Sequence, residues 1–206
     1  MVESQVRPNG ITDHRILDAM ARLPRENFVP AELRAVAYAG EDLPVAPGRY
    51  LPDAMAFARM LQLAEVKPDD SVLLVGAGAG YGAAVVARIA SRVVALEQDA
   101  GLLAVARAQL AGLANVTVAE GPLTDGWKAG GPYDVVLFEG RVGEVPAGIF
   151  AQMKDGGRVV AAVGEGAVAK AHLWNCAGDP PALRLAFDVS VAALPGFARK
   201  RPAFVF

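Results

Sequence analysis

Residues 71–90 constrain this chain more than any other stretch. Val72, Leu73, Leu74 and Val75 are apolar, carry no charge, and run directly into glycines at 76, 78 and 80. A short apolar run bounded by turn residues reads as a buried parallel strand. The glycines let the backbone turn sharply, approach a ligand closely and open a helix with free N–H groups. Residues 80–90 carry the helix-forming pattern that should follow. Seventeen positions after Gly80, Arg92-Val-Val-Ala-Leu-Glu97 reads as a second apolar strand ending in a carboxylate. An acid there can accept hydrogen bonds from both hydroxyls of a ribose. Strand, glycine loop, helix, second strand and acid, in this order, predict the opening of a nucleotide-binding α/β sheet.

The glycine spacing narrows the nucleotide. The dinucleotide fingerprint places its third glycine one residue later, where Tyr81 stands, which disfavours a nicotinamide-dependent oxidoreductase. The five-residue form is usual in S-adenosylmethionine sites of Rossmann-like methyltransferases. At 206 residues the chain is most simply one domain, 1–206, with a cap region at 1–68 and a core at 69–206. Charges interrupt every apolar run before membrane-spanning length, although mean hydropathy is +0.31. Cys176 is the single cysteine, which excludes an internal disulfide and any multi-cysteine metal site, so no metal is expected. Twenty basic residues against 22 acidic ones leave a net charge of -2, with no electrostatic case for nucleic acid. The start of the chain lacks an apolar signal core, so the expectation is a cytoplasmic protein that does not enter a membrane.

Along the chain, residues 13–22 read as an amphipathic helix capped by Thr12, with Ile16, Leu17, Met20 and Leu23 on its apolar face. A short helix is expected near 31–37, an irregular stretch over 38–52, and a second helix over 53–65. Strands are expected at 71–75, 92–96, 115–119, 133–138 and 157–163, with helices at 80–90, 99–111 and 145–153 between them. This alternation predicts parallel crossover units in a doubly wound sheet. Segments 167–176 and 183–192 flank the turn Ala177-Gly-Asp-Pro-Pro181 and should pair antiparallel, and 202–206 could add an edge strand. The expected fold is therefore a doubly wound, mostly parallel, seven-stranded Rossmann-like sheet with an antiparallel edge and a small N-terminal helical cap. Ligands of such sheets bind beyond the carboxyl ends of the strands. That rule singles out residues 76–81, 97–98, 120–123 and 139–141.

Several further pieces carry a resemblance over nearly the full length. They are Gln5, Arg7, Gly10-Ile-Thr-Asp13, Pro24-Arg-Glu-Asn-Phe-Val-Pro30, Ala37-Tyr38 and Leu43-Pro-Val45. Downstream come Val72 to Tyr81, Gly126-Trp127, Pro132-Tyr-Asp-Val-Val136 and Gly156-Gly-Arg-Val-Val160. In these the chain resembles the protein-L-isoaspartate O-methyltransferase family. The resemblance implies S-adenosylmethionine as cofactor and methyl transfer to the α-carboxylate of isoaspartyl residues in damaged proteins, or to another carboxylate. On the residues present, Gly76, Ala77, Gly78, Gly80, Tyr81, Glu97, Gln98 and Gly121 are the candidate cofactor-binding set.

Four positions depart from the family pattern. The family has a serine that contacts substrate within a Thr-Ile-Ser-Gln-Pro stretch; counting without gaps from Ala37-Tyr38, Pro52 stands there, and Pro52 has neither hydroxyl nor N–H. The following Asp53 would meet an incoming carboxylate with like charge. Leu74 replaces an acid before the glycine loop, Gly121-Pro-Leu123 replaces a Gly-Asp-Gly, and Glu139-Gly-Arg141 replaces a small Thr-Ala-Ala type stretch. No catalytic residue is named on this basis. Tyr50, Asp53, Glu139 and Arg141, together with Arg49, are the candidates to line an altered acceptor pocket. The altered motifs also motivate a different class of reading, a non-catalytic interaction protein that keeps the methyltransferase fold.

Overall fold

The structure is a computed structural model, and it describes residues 1–199. Its centre is β3 (Ser71–Val75), in which every residue is buried. Such a strand has no polar face to turn to water, so it needs neighbours on both edges and helices on both faces. β4 (Arg92–Glu97) pairs parallel on one side, with Val72 opposite Val93, and β5 (Val116–Glu120) follows it outward. β6 (Tyr133–Val142) lies parallel on the other side, with Val72 opposite Val135, and β7 (Met153–Val163) follows it. β8 (Ala169–Asn175) and β9 (Ala182–Val189) complete the sheet antiparallel, giving the order β5-β4-β3-β6-β7-β8-β9. The expected sheet and its antiparallel edge are both present. The chain leaves β3 toward β4 and later returns to β3's opposite edge at β6. This reversal opens a crevice at the strand C-termini, where ligands of open α/β sheets sit.

The crossovers carry α3 (Tyr81–Val86), α4 (Ala100–Leu110) and a four-residue α5 (Ala147–Phe150). Asp99 starts α4 by accepting from the amide of Leu102. In the N-terminal region α1 (His14–Ala21) and α2 (Ala54–Leu63) turn their apolar faces onto the sheet's helical layer. Asp13, rather than Thr12, caps α1, because its carboxylate reaches the amide of Arg15 while Thr12 is engaged by Gln62. The segment 31–36 is a 3-10 turn rather than an α-helix.

Other boundaries moved for tertiary reasons. Residues 38–52 are not wholly irregular: β1 (Leu43–Ala46) and β2 (Arg49–Leu51) form a hairpin turning at Gly48, whose φ is +67°. Two strands this short, with Pro44 inside one, leave no alternation to read. β6 runs four residues beyond its expected end because residues 192–197 lie alongside it. The amide of Arg141 donates to the Ala192 carbonyl, that of Leu194 to Arg141, and that of Gly143 to Phe197. α3 ends early, at Val86, and continues as tight turns through Ala90. β7 begins at Met153 rather than at Gly157, with a register break before Arg158. The strand expected at 202–206 lies outside the described residues.

Candidate functional site

The loop after β3 is shaped by three left-handed glycines, Gly76 (φ +81°), Gly78 (φ +57°) and Gly80 (φ +96°). A residue with a Cβ is strained in that region, so the loop needs glycine there. The amides of Gly76 and Ala77 both donate to the Leu96 carbonyl at 3.0 Å, which ties the loop to the end of β4. Gly80 then caps α3. Glu97, the last residue of β4, is fully buried against this loop. Its Oε1 accepts from the amides of Gln98 (2.9 Å) and Asp99 (3.0 Å), and its Oε2 from the amide of Gly78 (2.8 Å).

A fourth donor on Glu97 comes from far away in the chain. Arg49, on β2, places Nη2 2.5 Å from Glu97 Oε2 and 3.0 Å from the Gly76 carbonyl oxygen. The two side chains are 4% and 1% exposed, so the pair is shut off from water. Leu194 closes the space beside it. A Cβ placed on Gly76 would fall 2.6 Å from Leu194 Cδ2 and 3.3 Å from Arg49 Nη2. The crevice between Asp42, Arg49, Tyr50, Pro52, Glu139 and residues 192–194 has no room for a water molecule. A glycine loop beside a strand-end acid is thus formed, with the amides of Gly76, Ala77 and Gly78 bonded within the fold. Beside Arg49 there is no space for a group, and a hollow of the several hundred Å³ a ligand needs opens instead at Gly121. The acid at the strand end suits an adenosyl group, and Arg49 stands on one of the acid's oxygens.

Charge in the closed crevice is unevenly balanced. Glu139, near the end of β6, is buried, and its Oε1 has no hydrogen-bond partner. Burial pushes its carboxyl up to about 8, with Arg49 opposing and Glu97 adding to the rise. A Cβ on Gly82 would fall 2.6 Å from Glu139 Cδ, so this carboxyl lies directly on the first turn of α3. Burial also raises Asp42, whose Oδ1 accepts from the amide of Asp53 (2.7 Å) and whose Oδ2 accepts from that of Ala192 (2.5 Å). Arg25 is fully buried and donates to the carbonyls of Ala37 (2.8 Å) and Pro52 (2.6 Å). Its guanidinium lies 4.9 Å from the centre of the Tyr81 ring.

The structure scatters some of the expected residues and gathers others. Gly76, Ala77, Gly78, Gly80 and Glu97 converge as expected. The Tyr81 ring instead packs edge-on to Phe28 at 5.5 Å and against Phe57, which leaves its backbone but not its side chain at the loop. Gln98 is exposed, and its Oε1 accepts from the Leu123 amide at 3.4 Å. Gly121 donates to the Glu97 carbonyl and opens onto a separate hollow of about 600 Å³ with Pro122, Trp127 and Pro146. Leu74 is buried inside the sheet.

Of the acceptor candidates, Tyr50 and Glu139 line the closed crevice. Asp53 caps α2 through the amide of Ala56 and faces a different cavity with Asp42, Arg59 and Asp188. Arg141 donates to the Gly164 carbonyl and faces a third, with Leu194 and Phe197. One shared pocket for all four is not formed. Arg49, expected to line an acceptor pocket, borders the crevice with Tyr50 and Glu139 and also lies on Glu97. Leu194 and Asp42 carried no local signal, because their importance comes from segments that meet only after folding.

Comparison with known proteins adds to this geometry. The family model for protein-L-isoaspartate(D-aspartate) O-methyltransferase matches residues 1–180. Over 166 residues the chain is 40% identical to a protein-L-isoaspartate O-methyltransferase of Koribacter versatilis, covering 80% of this chain and 75% of the relative. The corresponding protein of Methylorubrum populi is 41% identical over 165 residues, covering 80% and 78%. Among solved structures, a protein-L-isoaspartate O-methyltransferase superposes with a TM-score of 0.82 at 24% identity, over 93% of this chain and 64% of that one. A Plasmodium falciparum structure described as a putative member, in complex with S-adenosyl-L-homocysteine, superposes at 0.79 and 16% identity over 94% and 95%. At these identities the two structures speak to the fold.

Proposed function

Because this chain belongs to the protein-L-isoaspartate(D-aspartate) O-methyltransferase family, we propose that it is an S-adenosylmethionine-dependent enzyme that methylates a carboxylate, in the first place that of isoaspartyl residues in proteins. The observation that carries this reading is the convergence of the 76–78 loop amides and Glu97 at the C-terminal ends of β3 and β4, in a chain whose family match spans residues 1–180. We assign the cofactor contacts to that loop and to Glu97. When bound, the cofactor would supply a methyl group on a sulfonium, and the protein's part would be to align the acceptor and exclude water.

The acceptor is the less defined half. Asp42 and Glu139 border the crevice at Pro52, and burial raises both carboxyls, which lessens the negative charge an incoming carboxylate would meet there. Because Pro52 lacks the hydroxyl of the family's serine, another carboxylate-bearing acceptor stands beside isoaspartyl proteins in the proposal. The non-catalytic reading is not favoured, since relatives near 40% identity carry the enzyme's name over most of their length. No helix among the described residues is long and apolar enough to cross a membrane, and we place the protein in the cytoplasm.

The deciding experiment offers methyl-labelled S-adenosylmethionine with an isoaspartyl peptide and its aspartyl isomer. The expected result is base-labile methyl ester on the isoaspartyl peptide alone. Label on neither peptide, and none on a mixture of aged proteins, would remove the repair activity.

A further inference from the structure

Part of the cofactor region proposed above is occupied by the chain itself, beside an open hollow at Gly121. Arg49 Nη2 bridges Glu97 Oε2 and the Gly76 carbonyl oxygen, two atoms of the region assigned above to the adenosyl group. Leu194 covers Gly76 on the same side as Arg49, since a Cβ there would meet both, and a Cβ at Gly140 would also meet Leu194, 2.8 Å from its Cγ. We propose that Arg49 is an internal competitor of the cofactor, held on the ribose acid by a two-part latch that must open before an adenosyl compound can bind. This rests on the reading that the loop amides and Glu97 form the cofactor cradle.

The two parts of the latch are the β1–β2 hairpin, which carries Arg49, and the strap of residues 192–197, which carries Leu194. One carboxylate joins them. Asp42, just before β1, accepts from the Ala192 amide with one oxygen and from the Asp53 amide with the other. The strap is held further by its bonds along β6, so the hairpin is the weaker half. The hairpin pairs only with itself and forms no ladder with the seven-stranded sheet. An isolated pair of strands this short is marginal in water and depends on what it packs against. Tyr50, Pro47 and Gly48 face solvent, and the hairpin's anchors are Leu43 and Leu51, the partly buried Val45 and Ala46, and the Arg49–Glu97 pair.

The ion pair itself is poorly suited to permanent closure. Arg49 presents one nitrogen to Glu97 rather than a two-pronged fork, and its buried Nε has no partner. A buried ion pair gains little over solvation of its members unless the remaining donors are satisfied. Glu97 meanwhile keeps three backbone donors when Arg49 leaves, so the acid remains in place for a ligand. These features fit an exchangeable occupant better than a structural rivet.

The test is calorimetric titration of the full chain with S-adenosylhomocysteine, using wild type, Arg49→Ala, the bulk-preserving Arg49→Met, and Leu194→Ala. Folding of each is checked by circular dichroism. If the latched form holds about nine molecules in ten, its removal tightens binding by about tenfold. The expected result is such a gain in the Arg49 variants and a smaller one in Leu194→Ala. Hydrogen exchange on wild type gives a second reading: amides of 43–51 should exchange faster with the ligand bound. Equal affinity in all folded proteins, or protection of the hairpin by ligand, overturns the latch and leaves the cofactor reading intact. Absence of binding in every folded variant at millimolar ligand overturns the cofactor reading, and the latch with it.

Discussion

Replacing Glu139 with glutamine should stabilise the protein in a way that depends on pH. Glu139 is 5% exposed, its Oε1 is unpartnered, and burial lifts its carboxyl to about 8 from an ordinary 4.5. Between those values the folded chain holds a proton on this group that the unfolded chain has released. Stability therefore falls as pH rises through that window, by about 1.4 kcal/mol per pH unit for a single group. Across the whole window the loss amounts to about 5 kcal/mol, an upper figure because a side chain this close to Arg49 can relax toward it. Glutamine has nearly the same shape and no charge to lose. Any cost of its unpaired amide is the same at every pH. Urea unfolding of wild type and Glu139→Gln should thus give curves that lie close together at pH 5 and separate steadily toward pH 8, with the variant the more stable. A separation that stays constant from pH 5 to 9, or that grows toward acid, would show that this carboxyl is not held protonated by its burial. Asp42 is raised by burial as well and acts in the same direction, but it is present in both proteins and cancels in the comparison.

Substitutions at two further positions probe the frame around the crevice. Arg25→Ala removes the donors to the Ala37 and Pro52 carbonyls and the cation over Tyr81, and is expected to cost about 3 kcal/mol of unfolding free energy. Arg25→Lys should recover less than half of that, because one ammonium cannot span both carbonyls as the guanidinium does; full recovery by lysine would refute the bridging role. Asp53→Ala should lower stability by about 1 kcal/mol through loss of the α2 cap, whereas Asp53→Ser should match or exceed wild type, since it keeps a cap and discards the unpartnered Oδ1. Thermal melts of the three proteins at pH 7 decide this, and a serine variant as unstable as the alanine one would count against the capping account.

Much of this fold could be read before any coordinates. Val72 to Val75 had to be a buried strand because nothing in that run tolerates water, and its observed limits, Ser71–Val75, match the expected ones. The loop after it needed glycine at 76, 78 and 80, and all three take left-handed conformations. Glu97 ends its strand beside the loop as the spacing predicted. The late hairpin pairing of β8 with β9 also followed from its turn. These are local matters, decided within a few residues by backbone preference and apolar patterning.

What escaped were the side-chain and strap contacts made by distant segments. Arg49 and Glu97 are 48 positions apart, and no periodicity announces that a charge on a three-residue strand will cross to an acid at the end of another. The extension of β6 through Glu139 and Arg141 exists because residues 192–197 supply its hydrogen bonds. The amino-acid order alone determined the sheet, the loop and the position of the acid, because steric limits on φ and ψ and the aversion of apolar side chains to water act along the chain itself. Only the tertiary structure decided what stands on the acid beside the loop. That depends on which side chains from elsewhere reach the same few cubic ångströms, and here Arg49 and Leu194 do.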